Sequence, residues 1–463
     1  MRVFMLGWEF PPFISGGLGT ACYGLTKAMS GLGTDVMFVL PRPVSTPFST
    51  HVRLVSPRAG SPLASPSTEF RLDEFDHVTF RTVDAQMGNP YQGAAQYSAE
   101  REKQAIHKRI SQTAPIELAA AIEPAAIPAP PKPSGAVPSF IGAGSTGSNT
   151  PYGGDLFSEI QRYAALAAEI ARHEAIDVVH AHDWMTFPAG MAVAGLKGVP
   201  LIVHVHSTEF DRSGLHVDQR IYDIERRGMH SAMKVIAVSY LTKNLVTHHY
   251  GIDPSKVEVV YNAIESNGNG ADIEKYNIHK DEKIVLFLGR ITMQKGPEYF
   301  LAAAKKVLEV MDNVKFVMAG SGDMIRRTIE MAAGMGIGHK VLFTGFLRGN
   351  DVEKVFKMAD LYVMPSVSEP FGIAPLEAMS HDVPVIISKQ SGVSEVLTHA
   401  LKVDFWDINE MANKIIAVLR HPPLAAALRE HGSFEVRRLN WMDVARACVG
   451  VYEEARHAMN GRQ

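Results

Sequence analysis

The sequence predicts an α/β protein built from two doubly wound parallel sheets. Short runs rich in Val, Ile, Leu and Phe recur along the chain with little polar alternation, as expected of parallel strands covered on both faces. Amphipathic helical stretches separate these runs, which sets the β-α rhythm of a doubly wound sheet. The chain has 463 residues, too many for one compact core, so two large domains are expected.

In chain order, the first domain shows runs at 2–8 (RVFMLGW), 35–41 (DVMFVLP), 177–184 (DVVHAHDW), 200–207 (PLIVHVHS), 234–239 (KVIAVS) and 257–264 (VEVVYNAI). The second shows 283–290 (KIVLFLGR), 314–320 (VKFVMAG), 340–347 (KVLFTGFL), 361–366 (LYVMPS) and 383–388 (VPVIIS). A helical stretch such as 297–311 (PEYFLAAAKKVLEVM) opens on Pro297, where a first helical residue tolerates proline. The Gly/Asn-rich 265–272 (ESNGNGAD) has the composition of a hinge, which predicts domains over 1–264 and 265–440. Residues 113–150 are dominated by Ala, Pro, Gly and Ser without a period and read as a flexible insertion in the first domain, a tether without a catalytic role.

Composition excludes several classes. Lys and Arg number 46 against 49 Asp and Glu, a formal net charge of −3, which gives no bulk field for nucleic acid. The only cysteines, Cys22 and Cys448, cannot form a disulfide framework, so a reducing, cytoplasmic setting is expected. The opening MRVFMLGWEFPP is too short for a signal peptide and reads as a first buried strand. No run of about 18 apolar residues predicts a transmembrane helix.

Four motifs carry chemistry. In SVSEPFGIAPLEAMSHDVPVI (366–386), Glu369 and Glu377 flank a loop at the end of a strand reaching Pro365. Pro375 at a first helical position puts Glu377 near the third, where the helix dipole alone favours a carboxylate. The same carboxylate can bind paired hydroxyls such as those of a ribose. Gly372 allows close backbone approach, and open α/β sheets bind ligands at this strand edge. In FLGRITMQKG (287–296), Arg290 and Lys295 suit a diphosphate, as a fork and a point charge; two solvated surface cations are the plain alternative. In GWEFPPFISGGLGTACYGL (7–25), Gly16, Gly17 and Gly19 lie between a strand and its helix. A dinucleotide fingerprint fits poorly, because Cys22 holds its third glycine position and the second strand ends VLPRP without an acid; Arg42 leaves an NADP enzyme as an outlying reading. In HAHDW (180–184), His180 and His182 are expected to face opposite sides of their strand, one a core histidine and one a ligand donor. HVHSTEFDR (204–212) adds His206, Glu209 and Asp211 at the next strand end. There is no Asp-x-Asp, and no clustered His/Cys ligand spacing suggests zinc, so neither metal nor cofactor is expected.

Taken together, GGLG, HAHDW, NAI, GRITMQKG, AGSGD, GFL and EPFGIAPLE resemble the retaining glycosyltransferases of family 4, of GT-B fold, with kinship to glycogen and starch synthases. The resemblance spans nearly the whole chain outside 113–150, and Glu369 and Glu377 match the family's E-x7-E signature. It implies two Rossmann-like domains facing each other across a cleft, with a nucleotide-diphosphate sugar held mainly by the second and a carbohydrate acceptor mainly by the first. Arg290 and Lys295 would hold the diphosphate, Glu377 the ribose, and Glu369 would lie near the sugar hydroxyls. The backbone of Phe371, Gly372 and Ile373 would sit near sugar and phosphate, and Gly345, Phe346 and Leu347 would flank the base. Gly17 would approach the phosphates from the first domain and His182 would hydrogen-bond the sugar. His206, Glu209 and Asp211, with the 42–112 region, would shape the acceptor pocket. A last helix from Trp441, within 441–463, would cross back to the first domain. The implied activity is hexosyl, foremost glucosyl, transfer from UDP- or ADP-glucose to an α-glucan or a small trehalose-like or sucrose-like acceptor. ADP-glucose-dependent glycogen synthases carry Lys before the paired glycines where this chain has Ser15, which leaves the donor nucleotide open. The alternatives are a nucleotide-sugar 2-epimerase of the same fold, a non-catalytic nucleotide-sugar-binding protein, and a transferase acting on lipid acceptors. For the last, the basic stretch 101–109 is a weak hint, and a solvated helix face beside the insertion is the better reading of it.

Overall fold

The computed structural model describes residues 1–11, 16–41, 52–55, 68–72, 77–82, 154–265 and 282–461. The insertion at 113–150, the stretch 101–109, Ser15, Arg42 and all of the expected hinge but Glu265 lie outside the described residues. Residues 1–87 and 157–463 form one compact unit that contains both sheets.

The first sheet has nine strands: β1 (Arg2–Leu6), β2 (Asp35–Leu40), β3 (Val52–Val55), β4 (Thr68–Leu72), β5 (Val78–Thr82), β6 (Val178–His182), β7 (Leu201–Val205), β8 (Lys234–Ala237) and β9 (Val257–Val259), in the order β3-β4-β5-β2-β1-β6-β7-β8-β9. The second has six: β10 (Lys283–Leu288), β11 (Val314–Ala319), β12 (Val341–Gly345), β13 (Leu361–Met364), β14 (Val385–Ser388) and β15 (Leu401–Val403), in the order β12-β11-β10-β13-β14-β15. Counted within the second sheet this is 3-2-1-4-5-6, and the first sheet follows the same plan from β5 to β9. Both are doubly wound. The order reverses at β1/β6 and at β10/β13, so each sheet has a switch point where loops diverge and leave room for a ligand.

Both faces of the second sheet are covered. In β10, Val285 and Phe287 enter one apolar cluster while Leu286 enters the other. Val363 and Ile386 join the first cluster, and Tyr362, Met364, Val385 and Ile387 the second. Two-sided burial is why these strands read as unbroken apolar runs. Each of the eleven runs contains a strand, and most of the strands stop one to five residues short of the run end. β13 ends at Met364, because Pro365 has no N–H to continue the ladder. Four strands, β3, β4, β5 and β15, had no counterpart in the reading of the sequence. β4 runs antiparallel to both its neighbours, and β15 has only three residues.

The helix Trp441–Asn460 follows the second lobe in sequence, yet its buried residues Trp441, Val444, Cys448, Val451 and Tyr452 belong to the core of the first. Its N-terminus is capped by Asn440, whose Oδ1 accepts from the Asp443 N–H at 3.0 Å. Trp441 lies against Gly24 of the helix Gly17–Gly31, so closely that a Cβ there would come within 2.2 Å of the indole. Cys22 and Cys448 are free thiols buried in this same core. Among the described residues no helix is long and apolar enough to cross a membrane.

Candidate active site

In the second lobe the turn Met293–Lys295 after β10 lies against the loop after β13. Gly296 closes that turn at φ 65°, and a Cβ there would stand 2.1 Å from the Pro365 carbonyl oxygen. Val367 N–H donates to the Gln294 carbonyl at 2.9 Å, which ties the two loops together. Lys295 Nζ thereby reaches Glu369 Oε2 at 2.5 Å, and Ser366 Oγ donates to the same oxygen at 3.2 Å. Both partners are largely buried, so little solvent screens the pair. Glu369 is held at its backbone by Gln390 and Gly392. Arg290 is half-buried immediately after Gly289.

Glu377 sits at the fourth position of the helix Ala374–Ser380, one residue later than expected, because the helix starts at Ala374 and Pro375 takes its second position. Its side chain is partly exposed, yet burial pushes its carboxyl up to about 7. The Tyr362 phenol lies near both acids: burial, then the charges of Glu369 and Glu377, raise it well above the usual range. Phe371 is a core side chain whose carbonyl accepts from Val393 N–H at 2.7 Å, and Gly372 follows at φ 104° beside Glu369 and Met364. Ile373 is half-buried.

Beside this pair, the ends of β10, β11 and β12 carry glycines. A Cβ on Gly320 would stand 1.8 Å from the Gly289 carbonyl oxygen, and Gly320 N–H donates to the Gly345 carbonyl at 2.8 Å. Three neighbouring strands thus end in bare backbone, a shelf that a flat ring can approach. Phe346 projects from its rim, half exposed, with the Arg348 guanidinium 5.2 Å from its ring centre; Leu347 is half-buried. Gly289 and Gly320 were not singled out from the sequence. Their signal was a glycine at the end of successive strands.

In the first lobe, Gly17 is exposed at the start of its helix. The histidines require a correction. His180 and His182 do not face opposite sides of β6: residues two apart on a strand share a face, and their rings stack with centres 4.3 Å apart. His204 and His206 on β7 and just beyond it stack likewise at 4.1 Å, and β6–β7 pairing sets His182 opposite His204. Four imidazoles therefore form one cluster. Ligating nitrogens of His180, His182 and His204 lie within 4.8 Å of one another, a group able to hold a metal ion that the sequence reading missed. Burial lowers all four pKa values, those of His180 and His206 to about 3, and keeps the rings neutral.

Asp183, next along, was also missed. It is buried, holds a left-handed backbone at φ 58°, and accepts the His206 N–H at 2.7 Å and the Ser207 N–H at 3.3 Å. Burial raises its carboxyl to about 7 against those two hydrogen bonds. Asp adopts this left-handed conformation more readily than most residues, and Asp382 shares it.

Glu209 and Asp211 are not displayed to a pocket as expected. Glu209 is fully buried, its carboxylate bonded by Arg212, Ser213 and the Asp218 N–H. Asp211 completes a capping box with Thr208, and its second oxygen accepts from Ser368 Oγ at 2.6 Å. These acids stabilise the helix Glu209–Ser213 and join it to the second lobe. Of the three expected acceptor residues, only His206 remains half-buried.

Three family models tile the sequence: the starch synthase catalytic domain over 2–130, glycosyltransferase family 4 over 128–267, and glycosyl transferases group 1 over 269–433. An uncharacterized glycosyltransferase of Methanocaldococcus jannaschii is 35% identical over 61% of this chain and 76% of its own length. A glycogen synthase of Mycobacterium tuberculosis is 24% identical over 98% of this chain and 95% of its own. The catalytic domain of starch synthase IV from Arabidopsis thaliana, bound to ADP and acarbose, superposes with a TM-score of 0.65 at 14% identity, covering 98% of this chain and 99% of that one. With two doubly wound lobes and loops meeting at their carboxyl edges, the chain belongs to the GT-B glycosyltransferases related to the glycogen and starch synthases.

Proposed function

We propose that the protein transfers a hexosyl group, foremost glucosyl, from a nucleotide-diphosphate sugar to a carbohydrate acceptor with retention of anomeric configuration. The observation that carries this reading is the Lys295–Glu369 pair at the β10/β13 switch point, with Glu377 close by and the glycine shelf of β10–β12 beside it. Lys295 and Arg290 bind the diphosphate, Glu377 the ribose, and Glu369 the sugar hydroxyls. The shelf and Phe346 receive the base, and the backbone of Phe371, Gly372 and Ile373 lies along sugar and phosphate. Gly17 approaches the phosphates from the first lobe, where His182 and His206 meet the sugar and acceptor.

The chemistry follows from charge. Cleaving the anomeric C–O bond leaves negative charge on the diphosphate and oxocarbenium character on the sugar. Preorganised cations stabilise the former, each worth about 2.7–4 kcal/mol in comparable sites. The acceptor hydroxyl attacks from the face the diphosphate leaves, and the departing oxygen takes its proton. Lobe closure excludes water that would otherwise capture the sugar.

The donor is UDP- or ADP-glucose and the acceptor an α-glucan or a small sugar, as the kinship with glycogen and starch synthases supports. A matrix of donors against acceptors, read by nucleoside diphosphate release, tests this. Release that requires a carbohydrate acceptor, with an α-linked product by NMR, supports it. Turnover of donor alone to an epimer, a β-linked product from an α-donor, or tight donor binding without release across the matrix rejects it.

A further inference from the structure

The histidine cluster of β6 and β7 carries chemistry that the transfer reaction does not use. Four buried imidazole nitrogens lack any hydrogen-bond partner: His180 Nε2, His182 Nε2 and both nitrogens of His204. Buried polar atoms are nearly always paired, and each orphan costs about 1–3 kcal/mol. Four in one place call for an occupant.

We propose that His180, His182 and His204 bind a divalent transition-metal ion of the zinc class. The remaining nitrogens are arranged as such a site requires. His180 Nδ1 is hydrogen-bonded to the Tyr452 hydroxyl at 2.5 Å, and His182 Nδ1 to His206 Nε2 at 2.9 Å. His180 and His182 therefore each have one nitrogen engaged and the other without a protein partner, with a lone pair to give. Metal-bound histidines show this pattern, the outer partner fixing tautomer and orientation. His206 and Tyr452 act as positioning residues, and His204 supplies the third nitrogen. A set of neutral imidazoles selects zinc, nickel, cobalt or copper over magnesium or calcium, which prefer oxygen. Binding would draw three nitrogens that already lie within 4.8 Å of one another onto a Zn–N distance of about 2.0–2.1 Å. Three protein ligands leave a fourth position open.

The proposal bears on the function inferred above. The function proposed above also assigns His182 a contact with the donor sugar; its Nδ1 is engaged by His206 and its Nε2 is buried, so a ring that holds a metal has no nitrogen left for a sugar hydroxyl. Bound zinc is expected to weaken donor binding.

The experiment uses the full chain, stripped with a chelator and dialysed. Zn2+ titration by calorimetry and elemental analysis should give one ion per chain. Co2+ should give the visible absorption of a four-coordinate site with three nitrogen ligands. His204→Val should abolish both, and Tyr452→Phe should weaken affinity by about 10–100-fold. Circular dichroism checks that each variant folds. No binding by the folded wild-type chain overturns the proposal and leaves a bridging water as the occupant. Undiminished binding by folded His204→Val overturns it too, since the ion then sits elsewhere. Metal content is read without a donor, so the outcome does not depend on transferase activity.

Discussion

At the scale of single residues the site is a set of charges whose neighbours decide their use. Lys295 and Glu369 neutralise each other across 2.5 Å in a largely buried setting. Lys295→Ala should lower turnover by about 10²–10³-fold, as expected for a group acting on the leaving diphosphate. It should also lower stability, because it strands Glu369. Lys295→Met with Glu369→Gln should regain stability but not turnover, and near-normal turnover in either variant would remove Lys295 from the mechanism. Glu377 gives a pH signature. Its folded pKa of about 7 lies above the unfolded value near 4.3, and only the ionised form accepts both ribose hydroxyls. Donor kcat/KM should therefore fall as pH drops through 7, and Glu377→Gln should flatten that step while raising donor KM by about 10-fold or more. Stability has the opposite sign: a raised carboxyl stabilises fully below its unfolded pKa, and that contribution is lost as pH rises through 7. Glu377→Gln should thus gain in thermal midpoint over the wild type more at pH 8 than at pH 5. A full acid step in the variant would point to Asp183 instead, which is also held near 7. That Lys295, Glu369 and Glu377 lie on neighbouring loops and a helix start at strand ends was legible, because those motifs follow apolar runs in the sequence. The histidines were misread because the two-residue period of a strand was applied with the wrong sense. The repeat His-x-His in two successive strands was the available signal, but it marks a cluster only once the strands are known to be neighbours.

At the scale of elements, loops do the positioning and glycine sets their approach. Gly296 combines a left-handed backbone with a carbonyl 2.1 Å from where a Cβ would be. Gly296→Ala must push the Lys295 turn away from the Pro365 loop and lengthen the Lys295–Glu369 contact. The expected result is a folded protein destabilised by more than about 1 kcal/mol, with turnover reduced at least tenfold. Unchanged turnover in a variant of lowered thermal midpoint would show that the loop contact is structural only. Strands of the second lobe were readable because both faces are buried, which writes an apolar run into the sequence. β3, β4 and β5 form the edge of the first sheet, where β4 runs antiparallel, so they carry polar residues such as Glu69, Arg71 and Arg81 and show no such run. Glu209 and Asp211 show the complementary error. An acid near a strand end can equally be a cap, and the Thr208–Asp211 spacing was the sign of one.

At the scale of the whole molecule, the two lobes are joined by polar contacts along their carboxyl edges. Glu395 of the second lobe accepts the N–H groups of Tyr240 and Leu241 at 2.9 and 2.7 Å, at the start of the helix Tyr240–Tyr250 in the first. Its Oε2 also takes the Tyr261 hydroxyl at 3.0 Å. Ser239, the cap of that helix, donates to the Pro370 carbonyl at 2.6 Å, so the loop bearing Glu369 is tied to the same point. One lobe thus supplies the carboxylate that satisfies the other's helix N-terminus, where the helix dipole favours it. A helix cap lying across a lobe boundary makes relative position a condition of local stability. Glu395→Ala should leave each sheet intact but free those two amides. Their hydrogen exchange should rise by about tenfold, less than two charged hydrogen bonds would give if buried, because Glu395 is exposed. Donor binding, which we assign mainly to second-lobe residues, should hold, while transfer slows and donor hydrolysis grows as water enters. Protection at Tyr240 and Leu241 equal to that of the wild type would show that other contacts hold the lobes. Unchanged partition between transfer and hydrolysis despite faster exchange would show that their separation from water does not depend on this latch.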